Sequence, residues 1–507
     1  MAESPLTHSP ITRREAAQLL GAAAATGALA AQTPDICFLT ATEMAGLIRR
    51  RKLSAREAVA AHLKQIERVN PKVNAVVTLL AQQATENARI ADEAQARGAV
   101  LGPLHGLPVV HKDLFETAGI LTTFGSPIFR DNVPKRDAII VERIKRAGAI
   151  CLRKSNTPEF GAGSQTFNNV FGATKNPWDL TKTCGGSSGG AAVSLATGMV
   201  PIADGSDSGG SLRNPASFCN VVGIRTVPGR VPQHAQGNAW LTISVQGPMA
   251  RTVSDLALLL SIIAGPDSRR PISIDEPAAR FAGNLDRNFK GVRVAWFRDI
   301  GGIPFDPRVL KVIAEQRKVF ESLGCIVEEA EPDWTGAHQG YDTLRAWNYA
   351  STQSENVRLQ RDLVKDTLQW EVERGSKLSG ADIAHAHALR SQAWDSMRIF
   401  QEKYEYFICP TCQVLPYDIT QPYPPEIRGV TMSTYVEWQK SCILISALEN
   451  PAISVPCGFS DEGLPVGTQP PVGIQIVGRH RDEWSVLQLA HAFEKATGYG
   501  RRRPSIV

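Results

Sequence analysis

The chain has 507 residues, 43% of them hydrophobic and 21% charged, values that exclude disorder, collagen and coiled coil. A formal net charge of +5 is a faint bias at this length, and no basic run exceeds Arg49-Arg50-Arg51-Lys52 or Arg501-Arg502-Arg503, too little for a nucleic-acid surface. No strictly apolar stretch is long enough to span a membrane.

The first thirty residues read as an address rather than as fold. Arg13-Arg14 precedes Leu19-Leu20-Gly21 and an Ala/Gly run that closes on Ala28-Leu29-Ala30. Paired arginines, a weakly apolar stretch and an A-x-A site resemble a twin-arginine export signal, so residues 1–30 are expected to direct export to the periplasm; the alternative is a cytoplasmic protein with an Ala-rich first helix. The nine cysteines (37, 151, 184, 219, 325, 409, 412, 442 and 457) are odd in number and irregular in spacing, which is no disulfide framework. Cys409-Pro410-Thr411-Cys412 lacks a second pair or a histidine cluster and reads as two core thiols at a strand end.

Residues 31–507 read as one domain. Thr42-Glu43-Met44-Ala45 opens a short helix, and Ser54-Ala55-Arg56-Glu57 is a capping box for a second with Val59, Leu63, Ile66 and Val69 on one face. Short apolar runs follow at Leu107–Val110, Ala149–Leu152 and Val294–Phe297, separated by helical stretches such as Ala138–Ala147 and Ser254–Ala264. The pattern predicts an α/β domain with a central mixed sheet covered by helices on both faces.

In Gly106-Leu107-Pro108-Val109-Val110-His111-Lys112-Asp113, Lys112 ends a strongly apolar strand. Burial there would lower its pKa and leave a neutral amine able to act as a base; the bland alternative is a snorkelling surface lysine. His111 alternates to the other side and reads as structural.

From Cys184 to Arg230 two Gly/Ser loops flank a small-residue helix and a short strand. The first is Gly185-Gly186-Ser187-Ser188-Gly189-Gly190; the second is Gly205-Ser206-Asp207-Ser208-Gly209-Gly210-Ser211-Leu212-Arg213. Glycines let backbone N–H groups converge on an anion or a developing oxyanion. A phosphate loop is absent, because no G-x-x-x-x-G-K-[ST] occurs, and no lysine has a serine three residues before it. Gly185–Gly189 formally fits G-x-S-x-G, but no Asp/His pair is marked downstream. A serine nucleophile served by the distant Lys112 remains the fourth reading.

Residues 330–440 differ in composition. They hold Trp334, Trp347, Trp370, Trp394 and Trp438 and every tyrosine but Tyr499, on long amphipathic helices such as 381–399. As single residues these aromatics read as core. As a group they suggest a helical cover over a cleft that accepts apolar or aromatic substrate groups. His385-Ala386-His387 cannot share a metal from positions two apart on a helix, and no H-E-x-x-H occurs, so neither metal nor other cofactor is expected.

Together, the two loops, Pro215–Gly223 and the order Lys112, Ser187, Ser211 resemble the amidase signature family. The resemblance is clear from about 40 to 265, with a signature core of about 80–265, and returns in Asn450–Gly458 and Gly473–Gly478; it is weak between about 270 and 440. It implies an amide hydrolase with Ser211 as nucleophile, Ser187 as a bridging serine on a cis peptide bond, and Lys112 as base. It also implies an oxyanion hole from the N–H groups of Ser208, Gly209, Gly210 and Ser211. Ser188 is expected to brace the loop, and Asp207 and Arg213 to fix it by charge-assisted hydrogen bonds. The substrate would be a small-molecule amide, with esters as a second class and no nucleic-acid partner. Two alternatives stand: one component of an amidotransferase, working with partner proteins on charged tRNA, and a non-catalytic amide-binding protein on the same scaffold. The chain departs from the family pattern at Ser206 and Ser208, often Thr, at Asn214, usually apolar, and at Ile224-Arg225-Thr226-Val227, more usually Leu-Lys-Pro-Thr. Gly467-Thr468-Gln469-Pro470-Pro471 reads as a small insertion that disturbs the local strand register.

Overall fold

The computed structural model describes residues 35–234, 238–462 and 469–507. The export signal expected at 1–30 lies outside the described residues, as does part of the insertion expected at 467–471. Eleven strands form one mixed sheet: β1 (Val76–Leu79), β2 (Pro108–Lys112), β3 (Ile150–Ser155), β4 (Ile202–Asp207), β5 (Val222–Arg225), β6 (Val245–Ala250), β7 (Arg293–Trp296), β8 (Ile326–Glu329), β9 (Tyr406–Pro410), β10 (Ala452–Phe459) and β11 (Pro471–Val477). Their spatial order is β1-β3-β2-β4-β6-β5-β10-β11-β9-β7-β8. β2 runs parallel to both β3 and β4, whereas β4 and β6 are antiparallel, as are β10 and β11. This is the α/β mixed sheet expected from the alternation of apolar runs and helical stretches.

Sequence-level signals carry into local structure. Ser54 and Glu57 close the capping box of the Ala55–Val73 helix, and Thr40 with Glu43 forms another ahead of Ala41–Arg49. Strand alternation sends Val109 and Ile202 into one core cluster and Val110 and Ala203 into the other, where Ala191, Ala192 and Leu195 pack. The small-residue helix Gly189–Ala196 is buried throughout. It sits close because Gly190 has no side chain: a Cβ there would lie 2.4 Å from the Asn156 nitrogen and 2.6 Å from the Ala75 oxygen. All nine cysteines are buried and unpaired, Cys409 and Cys412 at the end of β9 included. The β10–β11 pairing carries one irregularity, between Pro456 and Gly458.

The region 330–440 supplies helices Ala337–Gln360, Asp366–Ser376 and Gly380–Lys403. A buried ion pair ties the first two: Arg345 Nη1 donates to Glu371 Oε1, and Tyr435 Oη donates to the same oxygen at 2.9 Å. Arg345 also lies over the rings of Tyr349 and Tyr435, at 4.9 and 5.2 Å from their centroids.

The two ends of that pair are not replaceable one at a time, because a lone buried charge is costlier than none. Glu371→Ala should cost about 3–5 kcal/mol, read as a lower unfolding midpoint in thermal and denaturant melts. The double variant Glu371→Ala/Arg345→Met should recover at least half of the loss; an additive double variant would refute the coupling.

Candidate active site

Lys112 is the last residue of β2, and Ser206 lies in the neighbouring strand β4. The loop before the Gly189–Ala196 helix presents Ser187 and Ser188, and the Gly186–Ser187 peptide bond is cis. Gly205 of β4 admits this loop, since a Cβ there would lie 2.6 Å from Ser188 Oγ. The two glycine loops meet directly, Ser188 N donating to Ser211 O at 3.2 Å.

The Lys112 amine is wholly buried and lies within hydrogen-bond distance of three hydroxyls: Ser187 Oγ at 2.7 Å, Ser188 Oγ at 2.9 Å and Ser206 Oγ at 3.0 Å. Desolvation pushes its pKa down to about 7, against the opposing pull of Asp207 and Asp204. The bland alternative of a snorkelling surface lysine is therefore set aside. His111 points the other way. Its Nδ1 meets Asp204 Oδ2 at 2.5 Å while Asp204 Oδ1 accepts from Lys112 N at 2.7 Å. Burial would depress His111, but the Asp204 carboxylate raises it to about 9. Asp204 thus fixes the backbone from which Lys112 projects.

Asp207 organises the second loop. Its carboxylate accepts from Gly210 N at 2.8 Å, Leu212 N at 3.1 Å, and Arg213 Nε and Nη2, both at 3.0 Å. Burial alone would raise this carboxyl, but Arg213 and Arg225 hold it well below the ordinary carboxylate range. The Asp207–Arg213 pair is fully buried, so it braces the loop, as expected, and is no surface pair. Asn214 joins the two loops: its Oδ1 accepts from Gly186 N at 2.9 Å and its Nδ2 donates to Gln439 at 3.0 Å.

One expectation changes. The Gly210 N–H is committed to Asp207 and is not free to face an oxyanion. The N–H groups of Ser208, Gly209 and Ser211 have no hydrogen-bond acceptor among the described residues. Asp207 needs this bond to close its own turn, which is why a row of four donors reduces to three.

Two participants went unassigned in the sequence. Ser206 appeared there only as a mild departure from Thr, yet it holds the lysine. Arg225 appeared only as a departure from Lys, yet it is fully buried and its Nη1 donates to Asp207 O at 2.6 Å, Ser208 O at 3.1 Å and Asp207 Oδ1 at 3.2 Å. The available signal was a second arginine after a signature loop that supplies only one acid.

Ser187, Ser206, Ser208 and Ser211 all border one cavity of about 230 Å³. No hydrogen bond joins Ser187 Oγ to Ser211 Oγ among the described residues. The facing wall comes from the Ala337–Gln360 helix, with Asn348, Tyr349, Thr352 and Gln353, and Tyr341 Oη lies 3.3 Å from Ser208 Oγ. The aromatic cover expected from 330–440 is therefore represented at the cavity by Tyr349 alone. Trp334 and Trp438 are core, stacked against Phe407 and Phe218, while Trp370 and Trp394 lie at the outer surface. The helical period that spaces these rings turns most of them away from the cleft. Leu114, Phe160 and Leu241, from outside that segment, add apolar patches to a largely polar lining. Among the described residues no group of three or more His, Cys, Asp or Glu is placed to hold a metal ion.

A family model described as Amidase matches residues 57–487. An acylamidase of Rhodococcus erythropolis is 36% identical over 477 residues, covering 93% of this chain and 98% of that protein. The first component of a glutamyl-tRNA(Gln) amidotransferase from Moorella thermoacetica is 35% identical over 500 residues, covering 93% and 99%. Among solved structures, a bacterial aryl acylamidase of the amidase signature enzymes overlays with a TM-score of 0.84 at 27% identity, covering 92% of this chain and 97% of that one. The chain belongs to the amidase family.

Asp207 neutralises two buried guanidiniums at once. Asp207→Ala should lower the unfolding midpoint by the equivalent of about 3–5 kcal/mol. A variant that melts like the wild type would show that the network is not what holds the loop.

Proposed function

We propose that this amidase hydrolyses small-molecule amides with Ser211 as nucleophile, Ser187 as proton bridge and Lys112 as base, through an acyl-enzyme. The observation that carries the reading is the buried Lys112 amine among three serine hydroxyls. A count of protons supports a neutral amine. Ser188 Oγ donates its single proton to Ser206 O at 3.2 Å, so toward Lys112 it is an acceptor. A neutral amine has two N–H groups, which Ser188 and Ser206 accept, and one lone pair left for the Ser187 hydroxyl. Lys112 is thereby set to receive the Ser187 proton.

Ser211 Oγ attacks the carbonyl carbon as its proton passes to Ser187 and the Ser187 proton passes to Lys112. The link between the two serines tightens as substrate seats, as catalytic hydrogen bonds commonly do. The oxyanion is received by the free N–H groups of Ser208, Gly209 and Ser211, each typically worth about 3–4 kcal/mol. Breaking the C–N bond releases the amine, which takes the proton back through Ser187. Water then repeats the sequence and frees the carboxylic acid. An ester would pass through the same acyl-enzyme, with an alcohol leaving. Arg225 acts from behind: its bonds to Asp207 O and Ser208 O polarise the two peptides whose N–H groups belong to Ser208 and Gly209.

The amidotransferase reading requires partner proteins, whereas the proposed chemistry is complete in one chain. The non-catalytic reading leaves the depressed lysine without a purpose. The paired arginines at 13 and 14 support export to the periplasm by the twin-arginine route, and nine unpaired buried cysteines suit a chain folded before export.

A fluorophosphonate probe should label the purified protein at Ser211 and leave Ser211→Ala unlabelled. An unlabelled wild type would favour the non-catalytic reading. The neutral fraction of a lysine with its pKa near 7 grows as pH rises. Accordingly, kcat/KM should rise about tenfold per pH unit below that value and level off above it. An optimum near pH 5, or Lys112→Ala retaining most of the activity at pH 7, would remove Lys112 as base.

A further inference from the structure

Among the described residues that line the cavity beside Ser211 there is no Asp or Glu, but there is Arg270. Arg270 is 5% exposed. Its Nη2 donates to Leu241 O at 2.8 Å, and its other side-chain nitrogens have no acceptor among the described residues. Two carboxylates of its own loop are engaged elsewhere: Asp267 by Arg143 and Arg269, and Glu276 by Arg230 and Arg280. Burial accordingly depresses the guanidinium with no carboxylate drawing it back. Every other fully buried arginine near the site has an acid beside it: Arg213 and Arg225 share Asp207, and Arg345 has Glu371.

A buried cation without a counter-charge is unfavourable unless something supplies one. Around this one stand the carboxamides of Gln233, Asn238, Asn348 and Gln353, which can donate to an anion as well as accept. The same cavity ends at the free N–H groups of Ser208, Gly209 and Ser211, so its field favours negative charge along its length.

We propose that Arg270 forms an anion subsite of the active-site cavity and that the preferred substrates are amides carrying a carboxylate, bound by the planar guanidinium fork beside these carboxamides. This rests on the hydrolase reading above and narrows it, because an apolar aryl or alkyl group alone would leave Arg270 unpaired. The fork suits a carboxylate better than a lysine would, since it offers two parallel donors. Arg270 is thus a specificity residue and takes no part in bond breaking.

Two matched substrate pairs test it: succinanilate against butyranilide places the charge on the acyl side, and para-acetamidobenzoate against acetanilide places it on the amine side. In at least one pair kcat/KM should favour the anion by about tenfold or more, and that pair identifies the side. Arg270→Gln should reduce this ratio about 10–100-fold, mainly through KM, and Arg270→Lys should keep part of it. Neutral members preferred in both pairs, or a Gln variant that scales both members alike, would overturn the proposal and leave Arg270 as a prop for the Leu241 carbonyl. Calorimetry with benzoate and with benzyl alcohol needs no turnover and no variant. Wild-type protein should bind benzoate more tightly, and equal or reversed affinities would overturn the subsite. Failure of the hydrolase reading looks different: neither pair is cleaved and Ser211 is not labelled, whatever benzoate does.

Discussion

The site depends on one amine kept out of water. Lys112 ends a strand whose residues from 108 to 112 are all buried, so its side chain has no route to solvent and its charge has no hydration shell. Three hydroxyls replace that shell, and hydroxyls stabilise an ammonium less well than water or a carboxylate. The remaining acids near it are occupied: Asp204 by His111 and the Lys112 backbone, Asp207 by two arginines. A carboxylate in contact with Nζ would have favoured the charged form and removed the base.

The glycine loops follow from that placement. Ser187 and Ser188 must reach a strand end already crowded by β4, which Gly205 permits. Asp207 then turns the second loop, at the expense of one N–H that would otherwise face the substrate. Arg213 anchors this turn to Gln475 of β11 at 2.5 Å and to Ser446 at 2.6 Å. The loop that carries Ser211 is therefore fastened to the far half of the sheet. Arg225 closes the arrangement, countering the same carboxylate and touching the carbonyls of the oxyanion loop.

What the sequence disclosed and what it withheld separate by the range of the interaction. Lys112 was legible because its surroundings are its own strand, and Ser187, Ser211, Asp207 and Arg213 because they sit in two short motifs. Helix caps at Ser54 and Thr40 are equally local. The Gly210 N–H was misassigned because its acceptor is set by the turn geometry rather than by residue type. Arg225, Arg270 and the Arg345–Glu371 pair were illegible as functional groups. Each gains its meaning from a partner, or from the lack of one, far along the chain. The tryptophans misled for a related reason: composition shows that a segment is aromatic but not which helical face meets the cleft.

The division of labour between halves of the molecule has a chemical consequence. Groups proposed to move protons and hold the oxyanion sit on strand ends and glycine loops of the sheet, inside its two core clusters. Groups that face the rest of the substrate come from the Ala337–Gln360 helix and from the loops around 233–244 and 270. That helix is fixed by its own buried ion pair and meets the nucleophile loop through a single hydroxyl contact, Tyr341 with Ser208. A change in wall charge, such as at Arg270, need not disturb Lys112, whose neighbours all lie on the other side of the serine loops. Such a scaffold can exchange one amide for another by altering the wall while the proton path stays the same. The polar, acid-free lining here then describes the substrate more directly than the aromatic content of the covering helices does.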